Sequence, residues 1–134
     1  LNVLLKQYLQ DYEEVYDYRN IEVTIDEQGV FKVKMNESLA VALLTNLLKN
    51  ALVHNIDGGH IRITITKNGI TFRNSGVEHP LNKEHIFERF YQGSKKEGST
   101  GLGLAIADSI CRLQHLNIKY YFEQNEHCFE ISQS

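Results

Sequence analysis

The sequence contains no tryptophan, only one proline and only two cysteines. It also lacks any apolar run near the roughly 20 residues that a membrane-spanning helix requires, and it does not open with a signal-peptide pattern. Because proline is scarce and low-complexity tracts are absent, we expect no internal linker. The cysteines, Cys111 and Cys128, lack the spacing of metal ligands, which favours free thiols in a reducing compartment.

A large excess of charge is missing as well. The net charge of −3 excludes the basic surface with which proteins hold nucleic acid or contact a membrane. A length of 134 residues with 42% hydrophobic and 23% charged residues is typical of one globular domain. An amphipathic pattern is already running at residue 1, so we expect residues 1–134 to be a single domain from a longer protein.

The stretch LLTNLLKNALVHN, at residues 43–55, predicts the central helix. Its leucines recur at helical spacing and form one wide apolar face. Asn46 and Asn50 are four residues apart and therefore share one ridge, and His54 follows on the same ridge. Amides are poor residues for a helix interior, because their side chains compete for backbone hydrogen bonds. The pair fits either a solvated flank or a polar site beside the leucine face.

The remaining periodicities predict two further helices and six strands. The helices cover residues 1–16 and 102–115, and Asn36 is the expected N-cap of the central helix. A long polar connection at 75–100 has the character of a lid. The resulting order, α-β-β-α-β-β-lid-α-β-β, predicts an α+β two-layer sandwich, with a mixed, mostly antiparallel sheet and about three helices on one face. The predicted strands are 21–25, 30–34, 61–66, 70–72, 118–122 and 128–131.

A glycine-rich turn, GSTGLGLAIA at 98–107, runs directly into the last predicted helix. Its glycines allow the backbone to approach a phosphate closely, while N–H groups of the helix point at it. Taken alone, such a turn is more often only a tight helix start. Asn50 offers a neutral oxygen that suits Mg²⁺ when phosphate oxygens complete the shell. Together these features suggest a nucleotide held between two helices.

Four motifs follow one another in a fixed order: NLLKNA at 46–51, NSG at 74–76, IFERFY at 86–91 and GSTGLGLAI at 98–106. In this order and spacing the chain resembles the catalytic ATP-binding domain of bacterial sensor histidine kinases, with its N, G1, F and G2 boxes. Those domains belong to the superfamily of gyrase, Hsp90 and MutL. The resemblance covers nearly the whole chain and implies the Bergerat fold, with ATP between the N-box helix and the lid.

The resemblance also implies a role for each matched residue. Asn50 would coordinate Mg²⁺, and Asn46 would support the phosphate site one turn earlier. Asn74 would face the adenine amino group, and Gly76 would make room for the ring. The other implied nucleotide contacts are Phe87 and Phe90 as lid anchors, Tyr91 beside the nucleotide, and Ser99, Thr100, Gly101, Leu102, Gly103 and Leu104 around the phosphates.

Four positions depart from the family pattern. The usual G1 aspartate is Asn74, which accepts a hydrogen bond without the charge that strengthens it. The second G1 glycine is Glu78. Val53 and Gln92 stand where the family usually has basic residues that reach a phosphate. The absence of these basic residues lowers the expected affinity for the nucleotide. The lysines that could compensate are Lys49, Lys95 and Lys96.

The function implied by the resemblance is that of a histidine kinase catalytic domain. Such a domain binds Mg-ATP and hands the γ-phosphoryl group to a histidine on a separate dimerisation domain, from which a response regulator later receives it. The hydrolysing members of the superfamily carry a glutamate base at the position of Asn46, and an amide cannot accept that proton. No histidine of this sequence has the context of the phosphate acceptor, so we expect the domain to be inactive alone. The resemblance further implies a monomeric domain in the cytoplasmic part of a membrane-bound sensor.

Three alternatives stay open at this point. The first is a degenerate module of the same fold that has lost its affinity for ATP through the substitutions at Val53, Asn74 and Gln92. The second is a serine kinase of the anti-sigma-factor type, which normally lacks the motif found at 86–91. The third is a hydrolytic member of the superfamily, against which Asn46 argues.

Overall fold

The computed structural model describes residues 1–78, 80–81, 85–87 and 102–133. These ranges contain four helices and five strands. In chain order the elements are α1 (Asn2–Asp11), α2 (Glu13–Tyr18), β1 (Glu22–Glu27), α3 (Glu37–Val53), β2 (His60–Thr66), β3 (Gly69–Asn74), α4 (Gly103–Leu113), β4 (Leu116–Glu123) and β5 (Glu126–Gln133).

The five strands form one mixed sheet in the order β1-β2-β3-β5-β4. Only the β1–β2 pair is parallel, and the other three pairs are antiparallel. The helices pack on one face of this sheet, so the predicted α+β sandwich with a mostly antiparallel sheet is confirmed. In the residues that the structure describes, no helix combines the length and apolarity needed to cross a membrane.

The hydrophobic core lies between α3 and the sheet. Leu44, Leu47 and Leu48 of α3 are fully buried, as the helical spacing of the leucines predicts. The β2 isoleucines at 61, 63 and 65 face them, because alternate strand residues share a face. Phe72 of β3 and Phe129 of β5 are paired across the sheet and extend the same core. Each such side chain contributes about 1.5–3 kcal/mol through burial.

The predicted strand at 30–34 is wrong. This segment carries no strand, although Phe31 is fully buried. Its backbone is bonded by a helix side chain instead: Asn2 accepts from the Phe31 N–H at 3.1 Å and donates to the Gly29 carbonyl at 2.9 Å. Since Asn2 satisfies these groups, the segment needs no partner strand. The alternation of apolar residues reflects burial without strand pairing, because Phe31 fills the core and Val33 packs against it.

The predicted helix at 1–16 is interrupted. Tyr12 adopts φ −101° and ψ 5°, and its N–H bonds the Leu9 carbonyl three residues back, so α1 ends and α2 starts anew. The predicted cap of the central helix is confirmed, because the Asn36 side chain accepts from the Ser38 N–H at 2.7 Å. The α4 helix and the two strands after it also form where the sequence predicts them.

Candidate functional site

The polar ridge of α3 faces the start of α4. Asn46 donates from Nδ2 to the Ala42 carbonyl at 2.7 Å, which satisfies a mid-helix amide within its own helix. Its Oδ1 is thereby turned toward Gly103, where an added Cβ would lie only 3.2 Å away. Glycine at 103 therefore allows the first turn of α4 to come close to the ridge. The two predicted motifs, 46–51 and 98–106, meet at this contact.

One turn further along α3 lies Asn50. Its side chain is half-buried and makes no hydrogen bond to any residue that the structure describes. Lys49, its neighbour in sequence, is exposed, and Val53 is half-buried near the end of the helix. Asn50 thus offers an amide oxygen that no described residue uses, and such an oxygen suits a hard cation.

Among the described residues, no side chain caps the N-terminus of α4. Leu102 occupies the N-cap position with φ −106° and ψ −24°, and no side chain there accepts a hydrogen bond from the first turn. The first N–H groups of a helix have no partners inside it, and together with the helix dipole they favour an anion. Leu104 is half-buried against the core and holds this turn in place. The end of α4 that faces Asn46 is therefore suited to a phosphate group.

Asn74 ends β3 and is 2% exposed. Its Nδ2 donates to the Ser75 carbonyl at 2.8 Å, whereas its Oδ1 has no partner among the described residues. Because a carbonyl oxygen can only accept, this bond fixes which end of the amide is which. A buried acceptor left unsatisfied costs about 1–3 kcal/mol. This oxygen is therefore available to a hydrogen-bond donor from outside the described residues, such as a water or a ligand.

Gly76 follows two residues later, where the chain leaves the sheet. A Cβ at this position would lie 2.9 Å from the His54 carbonyl and 3.2 Å from Cδ2 of His127. Only glycine allows the backbone to pass this close to both neighbours. Gly76 thus lies between the end of α3 and β5, two residues after Asn74.

Behind Asn74 lies a buried polar cluster that spacing alone does not reveal. The Ser75 hydroxyl donates to Oδ1 of Asn55 at 2.5 Å, and Asn55 donates to the His60 carbonyl at 3.0 Å. The His60 N–H returns to the Ser75 hydroxyl at 2.8 Å. At Gly59 a Cβ would lie within 2.3 Å of both side-chain oxygens. This cluster ties the end of α3 to β2 and β3 and so fixes the strand end that carries Asn74.

The end of α3 is also held by Arg19, a residue outside every motif. Its guanidinium donates to the Leu52 carbonyl, to the Asn55 carbonyl at 2.8 Å and to Asp57 at 2.8 Å. The last carbonyls of a helix have no hydrogen-bond donors inside it, and here Arg19 provides such donors. No signal in the sequence identifies this contact, because 33 residues separate Arg19 from Leu52.

The start of the IFERFY motif lies against the sheet. Ile86 is buried, and the Phe87 ring meets the Phe129 ring edge to face, with centroids 6.4 Å apart. Phe87 therefore lies where an anchoring role would place it. Five other predicted nucleotide contacts lie outside the described residues, namely Phe90, Tyr91, Ser99, Thr100 and Gly101.

The carboxylate with the clearest hydrogen-bonded partners lies on the other face of the sheet. Glu126 is buried beside Arg62 and His60, and the hydrogen bond from Arg62 is the largest effect that lowers its pKa. Side chains alternate along β5, so Glu126 points away from the face that carries Asn74. Within the described residues, no group of three His, Cys, Asp or Glu side chains could hold a metal ion.

Comparison with known proteins identifies the family of this chain. Residues 35–132 match the profile of the family described as histidine kinase-, DNA gyrase B-, and HSP90-like ATPase. Sensor histidine kinase RppB of Synechocystis sp. is 37% identical over 120 residues, which cover 82% of this chain and 26% of that protein. Heme sensor protein HssS of Staphylococcus aureus is 33% identical over 125 residues, with 90% and 27% covered. The chain thus spans about a quarter of the length of these relatives.

Solved structures give the same result. The catalytic domain of histidine kinase ThkA, free of nucleotide, superposes with a TM-score of 0.85 at 26% identity, over 98% of this chain and 90% of that domain. ThkA in complex with the response regulator protein TrrA gives a TM-score of 0.78, over 100% of this chain and 40% of that one. The chain belongs to the family of histidine kinase-, DNA gyrase B- and HSP90-like ATPases, and it is an ATP-binding catalytic domain of the histidine kinase type.

Proposed function

We propose that this chain binds Mg-ATP between α3, the start of α4 and the end of β3, and presents the γ-phosphoryl group to a histidine on a separate dimerisation domain. The observation that carries the proposal is the buried Oδ1 of Asn74, which is held as an acceptor and has no partner among the described residues. The amino group of adenine is the donor that this atom calls for.

The base would lie beside Gly76. A side chain at this position would collide with the His54 carbonyl, and its absence leaves backbone that a flat ring can approach. An amide makes a weaker hydrogen bond than a carboxylate, so Asn74 would contribute more to base selection than to affinity. Burial strengthens the hydrogen bond that Asn74 would accept, because water does not compete for its oxygen there.

The phosphates would lie at the start of α4. The uncapped first turn donates N–H groups, Asn46 borders it through Gly103, and Lys49 is the nearest cation in sequence on α3. Asn50 would hold Mg²⁺ through its side-chain oxygen. When bound, Mg²⁺ neutralises charge on the phosphates, while this chain orients them and excludes water.

The domain would transfer the phosphoryl group rather than hydrolyse ATP. Asn46 stands where a hydrolytic enzyme needs a base, and its amide already donates back to its own helix at Ala42. An amide does not take a proton from water. Slow turnover by the isolated domain follows from this single position.

The acceptor histidine and the response regulator would be the macromolecular partners. The relatives are named as sensor proteins and are about four times as long as the matched region, and ThkA was solved with a response regulator. We place this chain in the cytoplasmic part of a longer, membrane-bound sensor kinase, as its catalytic domain.

Titration calorimetry with ATP, with and without Mg²⁺, tests the proposal. The wild-type chain should bind ATP more tightly when Mg²⁺ is present, and Asn50→Ala should remove that advantage, at a cost of about tenfold in affinity. Asn117→Ala is the matched control, because Asn117 is exposed on β4. Failure of the wild type to bind ATP contradicts the proposal, and an unchanged response to Mg²⁺ in Asn50→Ala removes the metal role.

A further inference from the structure

His127 is buried directly opposite Asn74. The two residues are paired across β3 and β5, so their side chains share the face of the sheet on which the helices pack. His127 is 4% exposed and belongs to none of the four sequence motifs. His127 is thus buried beside the proposed base pocket, where it can influence the geometry of that pocket.

Both nitrogens of the His127 ring are hydrogen-bonded. Nε2 lies 2.7 Å from the Val77 carbonyl, and Nδ1 lies 2.7 Å from the Tyr120 hydroxyl. The same hydroxyl accepts from the Leu81 N–H at 2.9 Å. Because a carbonyl can only accept, Nε2 carries a proton and donates it to Val77, and the Tyr120 hydroxyl is hydrogen-bonded to the other ring nitrogen.

Aromatic packing holds the ring in this orientation. The Tyr120 ring stacks on it with centroids 5.9 Å apart and planes inclined by 22°, and the Phe122 ring lies 4.9 Å away. On its remaining side the His127 ring approaches Gly76, where a Cβ would lie 3.2 Å from Cδ2. The ring therefore contacts the backbone at Gly76, while its nitrogens hold the chain that follows Gly76, directly at Val77 and through Tyr120 at Leu81.

We propose that His127, with Tyr120, is a positioning residue of the base pocket. It fixes Val77 and Leu81 to the sheet, and so sets the height of the Gly76 backbone above the free oxygen of Asn74. That the ligand is a nucleotide rests on the proposed function, whereas the fixing of the backbone does not. A smaller side chain at 127 would let Gly76 drop toward the sheet and spoil the slot for the ring.

Three variants separate positioning from general stability. His127→Ala removes both hydrogen bonds, and Tyr120→Phe removes only the hydroxyl that joins Leu81 to the ring. His127→Gln keeps a donor at the distance of Nε2 and should restore the contact with Val77. His60→Gln is the control, because His60 is a half-exposed histidine that pairs with Glu126 on the opposite face of the sheet.

The first readout needs no ligand. Amide hydrogen exchange at Leu81, followed by NMR, should accelerate about tenfold in His127→Ala and Tyr120→Phe. It should stay near the wild-type rate in His60→Gln. The ¹⁵N shifts of the His127 ring in the wild type should show a proton on Nε2. An unchanged exchange rate at Leu81 in both variants, or a ring protonated at Nδ1 alone, overturns the proposal.

The second readout is ATP affinity. His127→Ala should bind about tenfold more weakly, and His127→Gln should recover to within about threefold of the wild type. Affinity within about twofold of wild type in both His127→Ala and Tyr120→Phe overturns the role in the pocket. If His127→Ala does not fold, the nearly isosteric Tyr120→Phe decides both readouts. If the wild type binds no ATP, the proposed function fails, and exchange at Leu81 alone decides whether His127 positions the backbone.

Discussion

Replacing Asn74 by valine should separate nucleotide binding from folding. The substitution removes a buried acceptor that costs the ligand-free protein about 1–3 kcal/mol, and it also removes the bond from Nδ2 to the Ser75 carbonyl, worth about 1 kcal/mol. Valine is β-branched and suits a strand end. These effects oppose each other, so the free energy of unfolding without ligand should stay within about 2 kcal/mol of wild type.

The stabilisation that ATP binding gives should differ much more between the wild type and Asn74→Val. At an ATP concentration of 100 times its dissociation constant, the wild type gains about 2.7 kcal/mol of stability from binding. If loss of the Asn74 hydrogen bond weakens binding about tenfold, the gain at the same concentration falls to about 1.4 kcal/mol. Urea denaturation with and without Mg-ATP measures both quantities, with the exposed Asn117→Val as the control. A variant that gains as much from ATP as the wild type, or that loses more than about 4 kcal/mol without it, refutes the reasoning.

Three further predictions concern groups that support the site. Arg19→Ala should lower the free energy of unfolding, measured in urea, by about 2 kcal/mol or more, because two carbonyls at the end of α3 lose a charged donor. The exposed ion pair with Asp57 contributes little to this loss. A loss below about 0.5 kcal/mol would contradict the prediction. The pKa of Glu126 is lowered, mainly by its hydrogen bond from Arg62. This pairing therefore stabilises the protein fully when the pH is above the ordinary pKa of 4.5, and the stabilisation is lost as the pH falls through the lower pKa of the folded state. Wild type should therefore lose more stability than Glu126→Gln between pH 6 and pH 3, and parallel losses would argue against the pair. Burial raises the pKa of Cys111 to about 12, so its thiol should resist alkylation at pH 8 until urea unfolds the chain; rapid labelling of the native protein would show that it is accessible.

Local patterns were sufficient for most of the fold. The helical spacing of the leucines predicts α3 and its buried face, and Asn36 caps this helix as its side-chain chemistry predicts. The isoleucines of β2 alternate because one face of the strand is buried and the other is not. Each of these elements is decided by residues within a few positions of one another.

The errors occur where distant residues decide the structure. Alternation at 30–34 predicts a strand, but Asn2 satisfies the backbone there, and no pattern within the segment reveals a partner 29 residues away. The break at Tyr12 leaves the apolar rhythm of the first helix intact, so periodicity does not detect it. Apolar periodicity predicts which side chains are buried, but it does not predict which groups complete the hydrogen bonds of the backbone.

The candidate site shows the same division. Motif order leads to Asn46, Asn50, Asn74 and Gly76, and the structure brings the first of these beside Gly103 across two helices. Spacing does not show that Asn74 keeps its oxygen free by donating to its neighbour. The residues that hold the site in place come from remote positions through contacts that only the folded chain makes, and they are Arg19, Asn55, Tyr120 and His127.

An NMR titration of the ¹⁵N-labelled chain with Mg-AMPPNP, a nucleotide that resists hydrolysis, tests the central claim most directly. The account predicts saturable shifts of the side-chain amides of Asn50 and Asn74 and of the backbone amides of Gly76 and Gly103. The Asn74 side chain should change most, because its buried oxygen gains a donor. Spectra that do not change with added nucleotide, or saturable shifts confined to the sheet face that carries Glu126, would contradict the claim that ATP binds between α3, α4 and β3.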